Sequence, residues 1–180
     1  MEVRYLHHLD WEIRRDEIEL VQVIGRGAFA TVHKGMWRGA PVAVKQLSPD
    51  LLQGPREAKL AALRDFANEL EIMGGLAHPR VVQFLGASTS QKPWLVVTEF
   101  LGGGTLEQLL DAARRRQVGL GVPRSMRISM DIASGLAYLH NKRPRRLVHR
   151  DLKPANVLIE SLSQIAKISD FGLGKALQEY

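Results

Sequence analysis

Two aspartates and an asparagine in the last third of the chain have the types and spacing for phosphate chemistry. Asp151 and Asn156 stand five positions apart within His149-Arg150-Asp151-Leu152-Lys153-Pro154-Ala155-Asn156, and Asp170 opens Asp170-Phe171-Gly172. Between them, Val157-Leu158-Ile159 and Ile165-Ala166-Lys167-Ile168 are short apolar runs that predict a small hairpin. A tight loop followed by a hairpin converges two carboxylates and one amide. Such a set suits one acid orienting an attacking hydroxyl while Asn156 and Asp170 hold magnesium on a nucleotide phosphate.

The elements that must position these groups follow from the hydrophobic pattern. Ile18, Leu20, Val21, Val23 and Ile24 alternate loosely and end at Gly25, which predicts a strand. Gly25-Arg26-Gly27-Ala28-Phe29-Ala30 is a glycine-rich hairpin leading into a second strand over residues 31–35, and Pro41-Val42-Ala43-Val44-Lys45-Gln46-Leu47 predicts a third. Residues 81–85 and 94–98 predict two more, which completes a five-stranded antiparallel sheet. Between these groups, Leu63, Phe66, Ala67, Leu70 and Met73 recur at helical spacing, so a helix is expected over about residues 60–73. Further on, residues 106–116 predict a short helix and 123–141 a long one, with Ile128, Ile132, Leu136 and Leu139 as its apolar stripe, joined by Ala133 and Tyr138. In the polar lead-in, Trp11 and Ile13 are isolated apolar residues expected to pack on the sheet that follows.

Composition narrows the class. The 180 residues are 45% hydrophobic and 24% charged, enough for a sizeable core in one domain or two small lobes and unlike a disordered chain. No run approaches 18 consecutive apolar residues, so no membrane span is expected. With no cysteine there is neither a disulfide framework nor a thiolate metal site, and a cytoplasmic location is the expectation. The net charge of +6 is concentrated at Arg114-Arg115-Arg116 and Lys142-Arg143-Pro144-Arg145-Arg146. Neither cluster is interleaved with aromatics or joined to a nucleic-acid motif, so both are taken as solvated surface and no nucleic-acid partner is expected. His140 and the pair His7-His8 lack spaced co-ligands for a metal.

A glycine pair alone is a weak sign, because dinucleotide-binding folds share it. Those folds need a helix directly after the glycines and an acid about 20 residues on. Here a strand follows, and Lys45 stands at that distance. The ordered set of glycine hairpin, Val42-Ala43-Val44-Lys45, His149-Arg150-Asp151 and Asp170-Phe171-Gly172 instead resembles the protein kinases. Asp10-Trp11-Glu12-Ile13, the run 37–45 and the run 78–87 resemble the tyrosine-kinase-like group, and within it the Raf-like and integrin-linked-kinase-like members of plants and algae. Lys153 after Asp151-Leu152 follows the serine/threonine pattern.

The resemblance implies an α+β protein-kinase-like fold. Its parts would be a lead-in over 1–17, an N-lobe and hinge over 18–101 with one key helix, and a partial, mainly helical C-lobe over 102–180. It implies ATP and Mg2+ as cofactors. Asp151, Lys153, Lys45 and Glu69 would be catalytic, with Glu69 pairing Lys45. Asn156 and Asp170 would hold the metal. Ile24, Gly25, Arg26, Gly27, Val32, Ala43, Lys45, Thr98, Glu99, Leu101 and Leu158 would line the nucleotide, with Thr98 gating the space behind the adenine. Phe84, Met73, Phe171 and His149 would stack as an apolar column. Ala30 stands where the family pattern has a third glycine, which bears on loop flexibility. Relatives continue past the Asp-Phe-Gly triplet into an activation loop, an Ala-Pro-Glu and further helices. These 180 residues are therefore expected to be a truncated kinase domain with impaired phosphoryl transfer to serine or threonine of signalling proteins. The alternative is a catalytically silent nucleotide-binding or scaffolding fragment that docks to another kinase.

Overall fold

The computed structural model describes residues 11–27, 30–48, 66–67, 70–144, 146–170 and 175–177. Two compact units divide the chain, one formed by Met1–Leu76 and Gln83–Phe100, the other by Ala77–Val82 and Leu101–Tyr180.

The first unit is built on a five-stranded sheet: β1 (Ile18–Arg26), β2 (Ala30–Trp37), β3 (Ala40–Leu47), β4 (Phe84–Ser88) and β5 (Leu95–Glu99). All neighbours are antiparallel, in the order β1-β2-β3-β5-β4. Successive side chains alternate between the two faces of a strand, so the sheet divides its apolar residues between two cores. Val42, Val44, Leu95 and Val97 pack with Ile13 and Ile18 on one face. Phe84, Ala87, Trp94 and Val96 pack on the other, against the helical residues Phe66, Leu70 and Met73. Phe66 stacks on Trp94 with ring centroids 5.2 Å apart.

The lead-in docks as expected, and by a definite mechanism. Ile13 N–H donates to Ala87 O at 2.7 Å and Ala87 N–H to Trp11 O at 2.9 Å. The Glu12 carboxylate accepts from the N–H groups of Thr89 and Ser90 and from the Thr89 hydroxyl. Trp11 meets the Phe84 ring edge-on at 6.0 Å. A Cβ at Gly86 would stand 2.5 Å from Trp11 O, so the absence of a side chain there is what lets the lead-in lie against β4.

The second unit contains α1 (Leu106–Arg115), α2 (Val122–Asn141), β6 (Arg146–Val148), β7 (Val157–Ile159), β8 (Ala166–Ile168) and β9 (Lys175–Leu177). Thr105 caps α1 reciprocally with Gln108, each side chain bonding the other's backbone N–H. Its core joins Leu106 and Ile128 of the helices to Val157, Ile159 and Ala166 of the expected hairpin, in which β7 pairs antiparallel with β8. The long helix buries Ile128 and Leu139 fully and Ile132 and Leu136 in part, while Ala133 is exposed. Its opposite side presents Val122, Met126 and Met130 to solvent.

Two expectations need correction. The strand placed over 81–85 begins at Phe84. Val81 and Val82 belong to the second unit, where Val82 N–H donates to Ile168 O and Ile168 N–H to Arg80 O, both at 2.9 Å. Their apolar side chains are buried in an irregular segment, which hydrophobicity alone does not distinguish from a strand. The expected strand over 165–168 starts at Ala166, because Ile165 closes the turn by accepting Glu160 N–H.

Candidate active site

In the first unit, register brings several of the residues expected to line a nucleotide onto one face of the sheet. Val32 lies opposite Lys45, and Lys45 opposite Val96. Ala43 lies opposite Thr98, and Gly25 opposite Val32. Residues directly opposite share a face, so Val32, Ala43, Lys45 and Thr98 share one while Val42 and Val44 are buried behind them. Ile24 is 46% exposed on β1, an apolar side chain left at the surface beside the glycine hairpin. Arg26 pairs with Thr31, and Gly27 N–H donates to Ala30 O at 2.9 Å, which closes the hairpin neck without a third glycine. Thr98 is half-buried at the end of β5. The Glu99 carboxylate accepts Gln83 N–H at 2.8 Å, so its side chain is committed to the sheet edge. Glu69 lies outside the described residues, as does Phe171. Of the expected column, Met73 and Phe84 share one core cluster of the first unit, and His149 is buried in the second.

In the second unit, the loop after β6 gathers Asp151, Lys153 and Asn156 directly. Lys153 Nζ donates to Asp151 Oδ2 at 2.7 Å. Asn156, in the 3-10 turn Pro154–Asn156, donates its Nδ2 to Asp151 O at 2.8 Å and to Asp151 Oδ2 at 3.0 Å. The Lys153 ammonium and then the Asn156 amide hold the Asp151 carboxyl below its ordinary range. The same contact holds Lys153 above the usual lysine range, with the charge of Asp170 adding to it. Asp151 is therefore a carboxylate and Lys153 an ammonium at neutral pH.

Asp170 comes to the cluster through its neighbour. Ser169 donates both N–H and Oγ–H to Asn156 O, at 2.9 and 3.0 Å. His149, 3% exposed, bridges the two stretches. Its Nδ1 accepts Asp151 N–H at 3.3 Å, which leaves Nε2 to donate to Ser169 O at 2.8 Å. Arg150 and Asp170 both adopt left-handed backbone, φ 65° and 61°. Two non-glycine residues in that region, either side of the cluster, are strain of the kind that functional loops carry. Leu158 of β7 is half-buried and bridged to Thr105, and Leu101 is buried in the second unit.

The donor set fits a hard divalent cation. Both Asn156 amide hydrogens go to Asp151, so its oxygen is the atom turned to other use, and Asp170 adds a carboxylate. Mg2+ is commonly held by one or two protein oxygens, with phosphate and water completing its shell. Among the described residues there is no cluster of three or more His, Cys, Asp or Glu that could hold a metal ion by itself. Ser169 and the tethering role of His149 escape a reading of the sequence. A buried polar side chain declares its partners only once folded, and the one signal for Ser169 is adjacency to Asp170.

Residues 18–180 match the family described as protein tyrosine and serine/threonine kinase. The chain belongs to that family. It is 41% identical over 172 residues to the serine/threonine-protein kinase VIK of Arabidopsis thaliana, covering 94% of this chain and 37% of that protein. It is 37% identical to the serine/threonine-protein kinase CTR1 of the same plant, covering 92% and 19%. It is 38% identical to the seven transmembrane domain-containing tyrosine-protein kinase 1 of Dictyostelium discoideum, covering 91% and 23%. The chain thus spans well under half the length of each of these relatives. Among its own described residues, no helix is long and apolar enough to cross a membrane.

Proposed function

We propose that the protein transfers the γ-phosphoryl group of ATP to serine and threonine hydroxyls of protein substrates in a cytoplasmic signalling cascade. The observation that carries this reading is the Asp151–Lys153–Asn156 cluster, tied to the residue before Asp170 by hydrogen bonds at both Asn156 and His149. The serine/threonine kinases among the relatives and the lysine at position 153 support the choice of acceptor.

The roles follow from the charges. Asp151, held as a carboxylate, accepts the hydrogen bond of the incoming hydroxyl and aims its oxygen at the γ-phosphorus. Because its basicity is depressed, it positions the hydroxyl early and takes the proton only as the new O–P bond forms and the bond to the leaving ADP oxygen breaks. Lys153 faces the charge that gathers on the transferred group. Asn156 Oδ1 and the Asp170 carboxylate would hold Mg2+, which when bound supplies charge neutralisation for the phosphates. From the first unit, Lys45 is assigned to the α- and β-phosphates, steadied by Glu69. Ile24, Gly25, Arg26, Gly27, Val32, Ala43, Thr98 and the backbone of Glu99 are assigned to the nucleotide, and Leu101 and Leu158 of the second unit are given the same task.

Labelled ATP, Mg2+ and a peptide array carrying serine, threonine and tyrosine acceptors test the proposal on the full-length protein. Label on serine and threonine is expected, and Lys45→Met or Asp170→Ala removes it. Label confined to tyrosine overturns the acceptor assignment. Nucleotide binding without any transfer overturns the enzyme and favours a scaffold that docks to another kinase.

A further inference from the structure

The second unit contains an ion pair, its carboxylate buried and its guanidinium partly exposed, between residues given no role above. Asp131, on α2 and 6% exposed, has Oδ1 2.5 Å from Arg80 Nε. Its other oxygen, Oδ2, accepts the N–H of Ala166 at 3.0 Å. Ala166 is the first residue of β8, and that strand runs through Ser169 into Asp170. Arg80 completes the circuit from the other side, since its own carbonyl accepts Ile168 N–H at 2.9 Å while Val82 N–H donates to Ile168 O. Gly135, one turn along α2 from Asp131, lies under the same point. A Cβ there would stand 2.8 Å from both Arg80 O and Ile168 Cδ1. Tyr138, a further turn on, accepts Ala77 N–H at 2.9 Å and stacks on His78 at 4.8 Å.

Burying a carboxylate is costly unless each oxygen is matched. Here one oxygen is spent on a guanidinium and the other on the backbone of a single strand, so the pair fixes where that strand begins. We infer that Asp131 and Arg80 are positioning residues for phosphoryl transfer: together they set the height of β8 and hence the placement of the Asp170 carboxylate. The inference rests on the metal role proposed for Asp170. Asp131 fixes the first amide of the strand and Arg80 its last, so Asp170, two residues beyond Ile168, inherits its position from both. Groups hydrogen-bonded directly to a metal ligand change its affinity 10–100-fold when removed, and Asp131 acts on Asp170 one step further off, through the strand.

The experiment uses the full-length protein and two readouts, hydrogen exchange of residues 166–170 without ligand and ATP binding with and without Mg2+. Asp131→Ala is expected to lower protection of the Ala166 and Ile168 amides at least tenfold. It should also cut the Mg2+-dependent gain in ATP affinity about tenfold, the lower end of what a direct partner of a ligand contributes, with metal-free ATP binding unchanged. Asp131→Asn keeps an acceptor for Ala166 N–H and retains much of the protection at Ala166, and Arg80→Lys keeps the cation and loses less of the gain than Asp131→Ala does. Asp170→Ala serves as the reference and should abolish the gain while leaving exchange at Ala166 intact. A gain unaltered in Asp131→Ala, or an equal loss with and without Mg2+ in both Asp131 variants, overturns the positioning role. A gain unaltered in Asp170→Ala overturns the metal assignment itself, and the inference with it.

Discussion

Asn156 has a structural duty separable from the metal-holding one proposed for it, and replacing it should expose the structural one in the absence of any ligand. Its side-chain amide holds the Asp151 carbonyl at 2.8 Å and the Asp151 carboxylate at 3.0 Å, from a position 6% exposed. A hydrogen bond to a neutral carbonyl contributes about 1 kcal/mol, and one to a charged acceptor about 1.5–3 kcal/mol, so Asn156→Ala should cost about 2.5–4 kcal/mol. Denaturant unfolding at pH 7 with unchanged slope reads this directly. Asn156→Asp is the sharper test. It retains an oxygen for a cation but loses both donors and sets a second carboxylate beside the Asp151 Oδ2. Two carboxylates so close cannot both ionise freely, so one acquires a raised pKa. An acid whose folded pKa is raised destabilises the protein above its unfolded value of about 4. The Asn156→Asp deficit should therefore be larger at pH 7 than at pH 5 and shrink as one carboxyl gains a proton and becomes a donor. A deficit below about 0.5 kcal/mol for Asn156→Ala, or one for Asn156→Asp independent of pH, would refute the arrangement.

Two further perturbations probe what surrounds the site. Gly86→Ala places a methyl group against Trp11 O and Ile13 Cδ1, at 2.5 and 2.7 Å, so the lead-in must lift from β4. The expected cost is about 1–3 kcal/mol, with Trp11 fluorescence shifting to the red, whereas native stability with native fluorescence would contradict the docking. The Glu160 carboxylate is lowered from 4.5 to about 2, first by Ser163 N–H, then by the Ser163 side chain and Leu162 N–H. A depressed carboxylate contributes above its unfolded pKa and loses that contribution as pH falls through the folded one, so the β7–β8 turn should loosen only between about 4.5 and about 2. A carboxyl NMR titration of Glu160 with its midpoint near the ordinary value would show the turn to be formed otherwise.

Much of the site could be foreseen because its residues are close in sequence or fixed by period. Val32, Ala43, Lys45 and Thr98 share a face as strand alternation requires, and Gly27 N–H meets Ala30 O where the glycine pair predicts a hairpin. The hairpin carrying Asp170 likewise follows from two apolar runs of strand length. What escaped depends on partners far along the chain. The alternation of β1 is only loose because register shifts after Leu20 and Val23 turn Val21 and Ile24 outward. Val81 and Val82 have strand-like composition but are held by the backbone of Ile168. Asp131 and Gly135 interrupt the apolar stripe of α2, and period alone gives no reason for either until Arg80 and Ile168 are seen against them. The pairing of β6 with β9 joins three-residue strands separated by 26 positions, a length at which neither composition nor period is informative.

The most direct test of the proposed chemistry is the turnover of Asp151→Asn in the full-length protein, measured with saturating Mg2+ and ATP beside the ATP affinity of the same variant. Asparagine keeps the size of the side chain and an oxygen, but removes the charge that holds Lys153 and that is proposed to receive the hydroxyl proton. Turnover is expected to fall about 10²–10⁴-fold with ATP affinity within about twofold of the native protein. Native turnover in Asp151→Asn would contradict the role given to that carboxylate.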